Sequence, residues 1–69
     1  MTVFHVGDTV SWPYEGGRTH GTVIGVHTVP FQVSGYTHHA TVDEPQYEIR
    51  CIRTGHVAFH KPSTLTRET

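Results

Sequence analysis

The stretch QYEIRCIRTGHVAFHK (residues 46–61) decides the fold. In QYEIRCI (46–52), the apolar side chains Tyr47, Ile49 and Cys51 occupy every second position. Charged residues stand between them, which is the period-two pattern of an antiparallel strand with one buried face. The sequence therefore predicts a half-buried strand over residues 46–52.

A second strand follows at once. The segment RTG (53–55) predicts a tight turn into HVAFHK (56–61), where Val57 and Phe59 again alternate with other residues. Two strands joined by so short a turn should be antiparallel neighbours. Val57 and Phe59 are then expected to fill the same interior as the apolar side chains of the preceding strand.

Shorter apolar runs recur between turn residues along the rest of the chain, at spacings typical of small barrels. Gly21 and Gly25 lie inside one of these runs and indicate a bulge or strong bend, by which a small sheet curls. No window has a sustained 3.6-residue period, so at most a single 3₁₀ turn is expected, at PST. The expected strands and turn are TVSWP (9–13), HGTVIGVHT (20–28), FQV (31–33), PST (62–64) and LTRE (65–68).

These elements predict one all-β domain over residues 1–69, a small SH3-like barrel of about five antiparallel strands, with an OB-type barrel as the alternative. A chain of 69 residues has room for one hydrophobic core. The side chains expected in that core are Val6, Val10, Trp12, Val23, Val26, Tyr47, Ile49, Cys51, Val57, Phe59 and Leu65.

Composition narrows the class of protein. The 35% hydrophobic content, seven glycines and four prolines are typical of a turn-rich globular chain. No apolar run approaches the roughly 18 residues of a membrane span, and MTVFHVGDTV does not resemble a secretory leader, so a cytoplasmic location is expected. The single cysteine, Cys51, lies in an alternating apolar run and is expected to be structural.

The charge balance bears on nucleic-acid binding. The net charge of −1 and the scattered fixed cations argue against a strong grip on phosphates. Seven histidines qualify this, because their protonation would make the chain strongly positive. Weak nucleic-acid binding favoured by mildly acid pH is therefore an alternative hypothesis.

The histidines do not predict a metal site. His56 and His60 are four residues apart, about 13 Å along an extended strand, too far to hold one ion. His38 and His39 are adjacent and would point to opposite faces of a strand. Surface or structural histidines are the expectation, with no metal and no cofactor.

The irregular segment 29–45 contains His39, Asp43 and Glu44 close together. An imidazole–carboxylate pair is one way to build a general base, but no nucleophile accompanies it. We favour a loop clasp, in which Asp43 accepts backbone N–H bonds and Gln46 attaches the loop to a neighbouring strand. His60 is expected to join this clasp if its strand runs beneath the loop.

Aromatic residues suggest a further possibility. An aromatic cage can hold methylated lysine or arginine through cation–π contacts. Trp12 and Tyr47 stand at alternating strand positions and are expected mainly to pack in the core, whereas Tyr14 and Tyr36 lie in turn-rich segments. The candidate cage residues are Trp12, Tyr14, Phe31, Tyr36 and Tyr47, with Glu15 or Asp43 as the carboxylate.

Several segments together resemble the hypervirulence-associated Tudor-domain family of small bacterial and fungal proteins. The resemblance spans about residues 4–65, and its most specific parts are HATVDEPQYEI (39–49) and HVAFHK. VGDTVSW (6–12) and GTVIGVHT (21–28) also match. Thr41 and Pro62 depart from the pattern, where serine and glycine are more usual. The resemblance implies a Tudor or SH3-like fold and no established activity or ligand.

The sequence thus predicts a non-enzymatic module that binds a protein or peptide across the 29–45 loop and the Trp12–Tyr14 turn, or that accepts a strand at a barrel edge. A small barrel reductase of the plasmid-borne dihydrofolate reductase type is disfavoured, because HVAFH does not match the site strand expected there. The candidate binding residues are Trp12, Tyr14, Tyr36, His39, Asp43, Gln46 and His60.

Overall fold

A computed structural model describes residues 3–68, and these residues form seven β-strands and one short 3₁₀ helix. The predicted all-β fold and the predicted 3₁₀ turn at Pro62–Thr64 are confirmed. In this part of the chain, no helix has the length and apolarity needed to span a membrane. The strands are β1 (Thr9–Tyr14), β2 (Gly17–His27), β3 (Phe31–Val33), β4 (Tyr36–His38), β5 (Gln46–Cys51), β6 (Val57–His60) and β7 (Thr66–Arg67).

Five strands form the main antiparallel sheet, in the order β6-β5-β2-β1-β7, and β3 and β4 form a separate hairpin. The long strand β2 has a register shift between Val23 and Gly25, which leaves Ile24 as an extra residue. This confirms the predicted irregularity near Gly25. Because of the extra residue, Val23 and Val26 both lie opposite inward-facing residues of β5.

Both two-residue hairpin turns have left-handed backbone at their two central positions. Glu15 and Gly16 connect β1 to β2 with φ of 42° and 77°, and Ser34 and Gly35 connect β3 to β4 with φ of 51° and 79°. Two consecutive positive φ angles match the twist of the flanking strands, as in type I′ turns. The β3–β4 hairpin was not predicted, although its Ser-Gly pair between two short β-prone runs is a hairpin signal.

The predicted pairing of β5 with β6 is confirmed, but the predicted sharing of one interior is wrong for Val57 and Phe59. A three-residue turn at 53–55 would place Ile49 opposite Phe59. In the structure, five residues separate the strands and Ile49 lies opposite Ala58. A one-residue change of register moves every side chain of a strand to the other face, so Val57 and Phe59 point outward.

Phe59 instead belongs to a second cluster on the outer face of the sheet, which the β3–β4 hairpin covers. Phe31 stacks on His27 at 4.0 Å and on His38 at 5.0 Å between ring centroids. Phe59 lies 5.2 Å from Phe31 and 5.1 Å from His38. The His27 ring also contacts Glu48, at 2.8 Å between Nε2 and Oε1. These rings attach the hairpin to the sheet through side chains.

The hydrophobic core lies on the inner face and differs from the predicted one at a few positions. Phe4 was not predicted, yet it is buried, and its ring meets Tyr47 edge-on at 5.3 Å. Val6 and Val26 were predicted in the core and are exposed, because both lie at an open end of the barrel. The core consists of Phe4, Val10, Trp12, Val23, Tyr47, Ile49, Cys51 and Leu65.

A polar network fastens the short strand β7 to β1. Ser11 is fully buried, donates from its hydroxyl to Glu68, and accepts from the Arg18 guanidinium at 3.0 and 3.2 Å. Arg18 also donates to the Thr66 hydroxyl at 3.1 Å. Buried polar groups are tolerated when they are hydrogen-bonded, so this network stabilises the attachment of β7.

Candidate functional site

The structure does not bring the seven predicted binding residues together at one site. Trp12 is buried in the core, and its ring contacts His60 at 5.1 Å between centroids. Burial lowers the pKa of His60. His60 thus packs on Trp12, whereas the loop clasp hypothesis required contact with the 39–44 loop.

The loop is closed by Thr41 instead of Asp43. The Thr41 hydroxyl accepts the Glu44 N–H at 3.0 Å, and the Thr41 N–H donates to the Glu44 carbonyl at 3.2 Å. The side-chain amide of Gln46 donates to the His39 carbonyl at 2.9 Å, which ties the loop to the start of β5. Asp43 is exposed.

A shallow depression of about 180 Å³ holds three predicted residues, Tyr36, His39 and Gln46, together with Lys61. The Lys61 ammonium faces Glu44 at 3.6 Å. Because that carboxylate already balances its charge, the depression has little net attraction for an anion.

Tyr14 lies near a different cavity, of about 150 Å³, at the end of the β1–β2 hairpin. The Arg53 guanidinium lies over the Tyr14 ring, 5.0 Å from its centroid. Among the described residues that line this cavity, none is a carboxylate. A cationic side chain such as methylated lysine would meet a positive charge here, so this arrangement disfavours the aromatic-cage hypothesis at Trp12 and Tyr14.

Cys51 is buried beside the same cavity. Its sulfur lies 3.4 Å from the Thr19 hydroxyl. Hydrogen bonds from Thr19 and Thr54 lower the pKa of the Cys51 thiol to about 7. The thiol is thus in a polar setting that the alternating apolar pattern did not reveal.

Within residues 3–68, no three His, Cys, Asp or Glu side chains are grouped closely enough to hold a metal ion. In each of the two closest histidine–carboxylate contacts, a single histidine meets a single carboxylate. His27 lies 2.8 Å from Glu48, and His5 lies 3.8 Å from Asp8. Neither pair is joined by a third ligand, so they offer hydrogen bonds and no chelating set.

An apolar concavity lies at the open end of the barrel, and we call it the end groove. Its volume is about 420 Å³. Its lining comes from residues 3–6, from the end of β2 and Thr28 just after it, from the 42–45 loop, and from Tyr47 and Pro62. The lining residues are Val3, Phe4, His5, Val6, Val26, Thr28, Val42, Pro45, Tyr47 and Pro62.

The end groove is apolar and nearly free of charge. Its four valines, Val3, Val6, Val26 and Val42, are exposed although they are apolar. His5 is the one titratable side chain besides the Tyr47 phenol among the described residues that line it. Sequence reasoning missed this site, because Val3, Val6 and Val42 lie outside the strands and Val26, in β2, was assigned to the core.

The architecture is that of a small Tudor-like β-barrel domain with an apolar groove at one end. The family model described as "Hypervirulence associated proteins TUDOR domain" matches residues 7–65. The chain belongs to this family, and the resemblance found in the sequence is confirmed. Neither the curated proteins nor the solved structures contain a significant match.

Proposed function

We propose that this chain is a non-enzymatic binding module that holds an uncharged, apolar segment of a partner protein or peptide in the end groove. The observation that carries the proposal is the exposure of Val3, Val6, Val26 and Val42 around one concavity of about 420 Å³. Contiguous exposed apolar surface in a small domain is typical of an interaction site. The family supports the non-enzymatic interpretation, since Tudor-type domains generally bind rather than catalyse.

The lack of charge in the groove lining indicates that the bound segment of the partner is uncharged. A charged side chain placed there would lose its hydration, and no carboxylate or fixed cation among the described lining residues would compensate it. An apolar segment has no such hydration to lose, and its burial is favourable by about 25 cal/mol per Å² of apolar surface. We therefore expect Val, Ile, Leu, Phe or Met in the bound segment.

Selection from a displayed peptide library with the full chain tests this proposal. We expect enrichment of uncharged apolar motifs, with affinities measured afterwards by calorimetry. Val6→Asp should weaken the selected peptides at least about tenfold, which corresponds to about 1.4 kcal/mol. Ile52→Asp is the matched control, because Ile52 and Val6 are both 65% exposed and Ile52 lies outside the groove.

Thermal unfolding of both variants verifies that they are folded before affinities are compared. Enrichment of charged motifs would contradict the proposal. An equal loss of affinity in Val6→Asp and Ile52→Asp would also contradict it, because the binding surface would then not be the end groove.

The alternative, nucleic-acid binding at mildly acid pH, has less support. Lys61 and Arg67 each face a carboxylate, Glu44 at 3.6 Å and Asp8 at 2.8 Å, which leaves fewer cations for phosphates. Nucleic-acid binding therefore stays a prediction. A salt-sensitive gain in oligonucleotide binding between neutral and mildly acid pH would support it. The expected cytoplasmic location likewise stays a prediction.

A further inference from the structure

Part of the end groove lining is a segment without regular secondary structure. Residues 3–8 lie in no strand, and Val3, Phe4, His5 and Val6 contribute to the groove lining. We call residues 3–8 the groove wall. Two backbone hydrogen bonds join the end of this wall to β2, from the Gly7 N–H to the Val23 carbonyl and from the Val23 N–H to the Asp8 carbonyl. Residues 3–6 have no such ladder to a strand, so their position depends on individual contacts.

Arg67, from β7, contacts the groove wall at three places. Its Nη1 lies 2.8 Å from the Asp8 carboxylate, and its Nη2 donates to the Val3 carbonyl. The guanidinium also lies over the Phe4 ring, 5.1 Å from the centroid. One side chain thus joins both ends of the wall and the aromatic residue between them.

The contacts within the wall and to the barrel complete the arrangement. The Asp8 carboxylate accepts the His5 N–H at 2.8 Å, and this bond together with the Arg67 guanidinium lowers the pKa of Asp8. The Gly7 N–H donates to the Val23 carbonyl at 2.8 Å, and the Phe4 N–H donates to the Tyr47 hydroxyl at 3.2 Å. These last two bonds attach the wall to β2 and β5.

We propose that Arg67 is a positioning residue that sets the end groove, by holding the groove wall against the barrel from the C-terminal strand. This proposal rests on the proposed function only in treating the groove as a binding site. The position of the wall itself is measurable without any partner. Arg67 does not line the groove. It acts through Val3, Phe4 and Asp8.

Arginine suits this role because its planar fork donates in two directions while its face stacks on an aromatic ring. Lysine offers a single ammonium and cannot make the three contacts together. Arg67→Lys therefore keeps a positive charge beside Asp8 but loses the contacts with the Val3 carbonyl and the Phe4 ring. This variant distinguishes a positioning role from a simple ion pair with Asp8.

Arg18 provides a matched control. It also fastens β7, through the Thr66 hydroxyl at 3.1 Å, but its other partner is Ser11 in β1 and not the groove wall. Removing Arg18 therefore loosens β7 without touching the wall directly. If Arg18→Ala and Arg67→Ala changed the groove wall equally, the cause would be the loosening of β7 and not the contacts of Arg67 with the wall.

The experiment is amide hydrogen exchange on the full chain, followed by NMR at the Gly7 and Asp8 amides, with the affinity of selected apolar peptides as a second readout. In Arg67→Ala we expect exchange at both amides to be about tenfold faster, from the summed loss of an exposed ion pair, a hydrogen bond and a cation–π contact. Arg67→Lys should show most of this change, and Arg18→Ala little of it.

Unchanged exchange in Arg67→Ala would overturn the proposal, and so would equal acceleration in Arg18→Ala. If Arg67→Ala does not fold, the same comparison is made with Arg67→Lys. Faster exchange confined to the Arg67 variants supports the positioning role even if no apolar peptide binds the wild-type chain. In that case the proposed function fails while the role of Arg67 stands.

Discussion

Replacing Gly21 with alanine places a methyl group where two strands and the core already meet. A Cβ at this position would lie 2.5 Å from Cγ2 of Ile49, 2.7 Å from the Arg50 carbonyl oxygen and 2.8 Å from Cη2 of Trp12. All three separations are well inside van der Waals contact. Since one of them is to backbone of β5, the neighbouring strand must shift or the side chains must leave their rotamers.

Overpacking of this kind typically costs about 1–3 kcal/mol. We expect the upper end, about 3 kcal/mol, because the carbonyl of Arg50 cannot rotate away. For a domain of this size 1 kcal/mol lowers Tm by about 4–8 °C, so Gly21→Ala should lower Tm by roughly 12–24 °C. The free energy of unfolding is measured in urea by circular dichroism and checked by thermal unfolding.

Gly17→Ala is the matched control, because Gly17 is in the same strand and a Cβ there would meet only the Tyr14 carbonyl oxygen, at 3.9 Å. We expect its free energy of unfolding to stay within about 0.5 kcal/mol of wild type. If Gly21→Ala were equally neutral, the close approach of β2, β5 and Trp12 described above would be incorrect.

Three further predictions concern buried or half-buried polar groups. Tyr47→Phe removes the acceptor of the Phe4 N–H and should lower the free energy of unfolding by about 1 kcal/mol, measured in urea. Burial holds the pKa of His60 below its unfolded value, so stability should fall as pH drops through about 6.5, and His60→Gln should flatten Tm against pH. Thr19→Val removes a hydrogen bond to the Cys51 thiol and should raise its pKa above about 7, measured by the pH dependence of alkylation.

Each of these three predictions has a control variant or a result that would contradict it. Tyr36→Phe, at an exposed hydroxyl, should leave stability unchanged. For His60, the sign follows from linkage: the unfolded chain binds the proton more readily, so acid favours unfolding. A wild-type and a His60→Gln curve of equal slope would contradict that burial effect. An unchanged alkylation profile in Thr19→Val would show that Thr19 does not stabilise the thiolate.

The fold was predictable because alternation in QYEIRC and the turn residues fix which segments are strands, and Tyr47, Ile49 and Cys51 are indeed buried. What alternation does not fix is the register between two strands that carry apolar residues on both faces. In β6, Val57 and Phe59 compete with Ala58 and His60 for the interior. The length of the 52–56 connection decided that competition, and this length depends on backbone geometry that composition does not reveal.

The candidate site was less predictable, for a different physical reason. Val6 and Val26 are apolar and were assigned to the core, and only the shape of the barrel end shows that they remain exposed. Phe4 fills the space under Tyr47 from a segment with no strand pattern. Concavity arises from the meeting of segments distant in sequence, so it is not readable from any one of them.

The contact between Arg67 and the Val3 carbonyl also places residue 3 within one arginine side chain of β7. We expect a short glycine–serine linker between residues 3 and 67 to be tolerated, with a new opening at the exposed Ser34-Gly35 turn. The same proximity makes the domain suitable for grafting into a surface loop of a host protein, where entry and exit points must be close together.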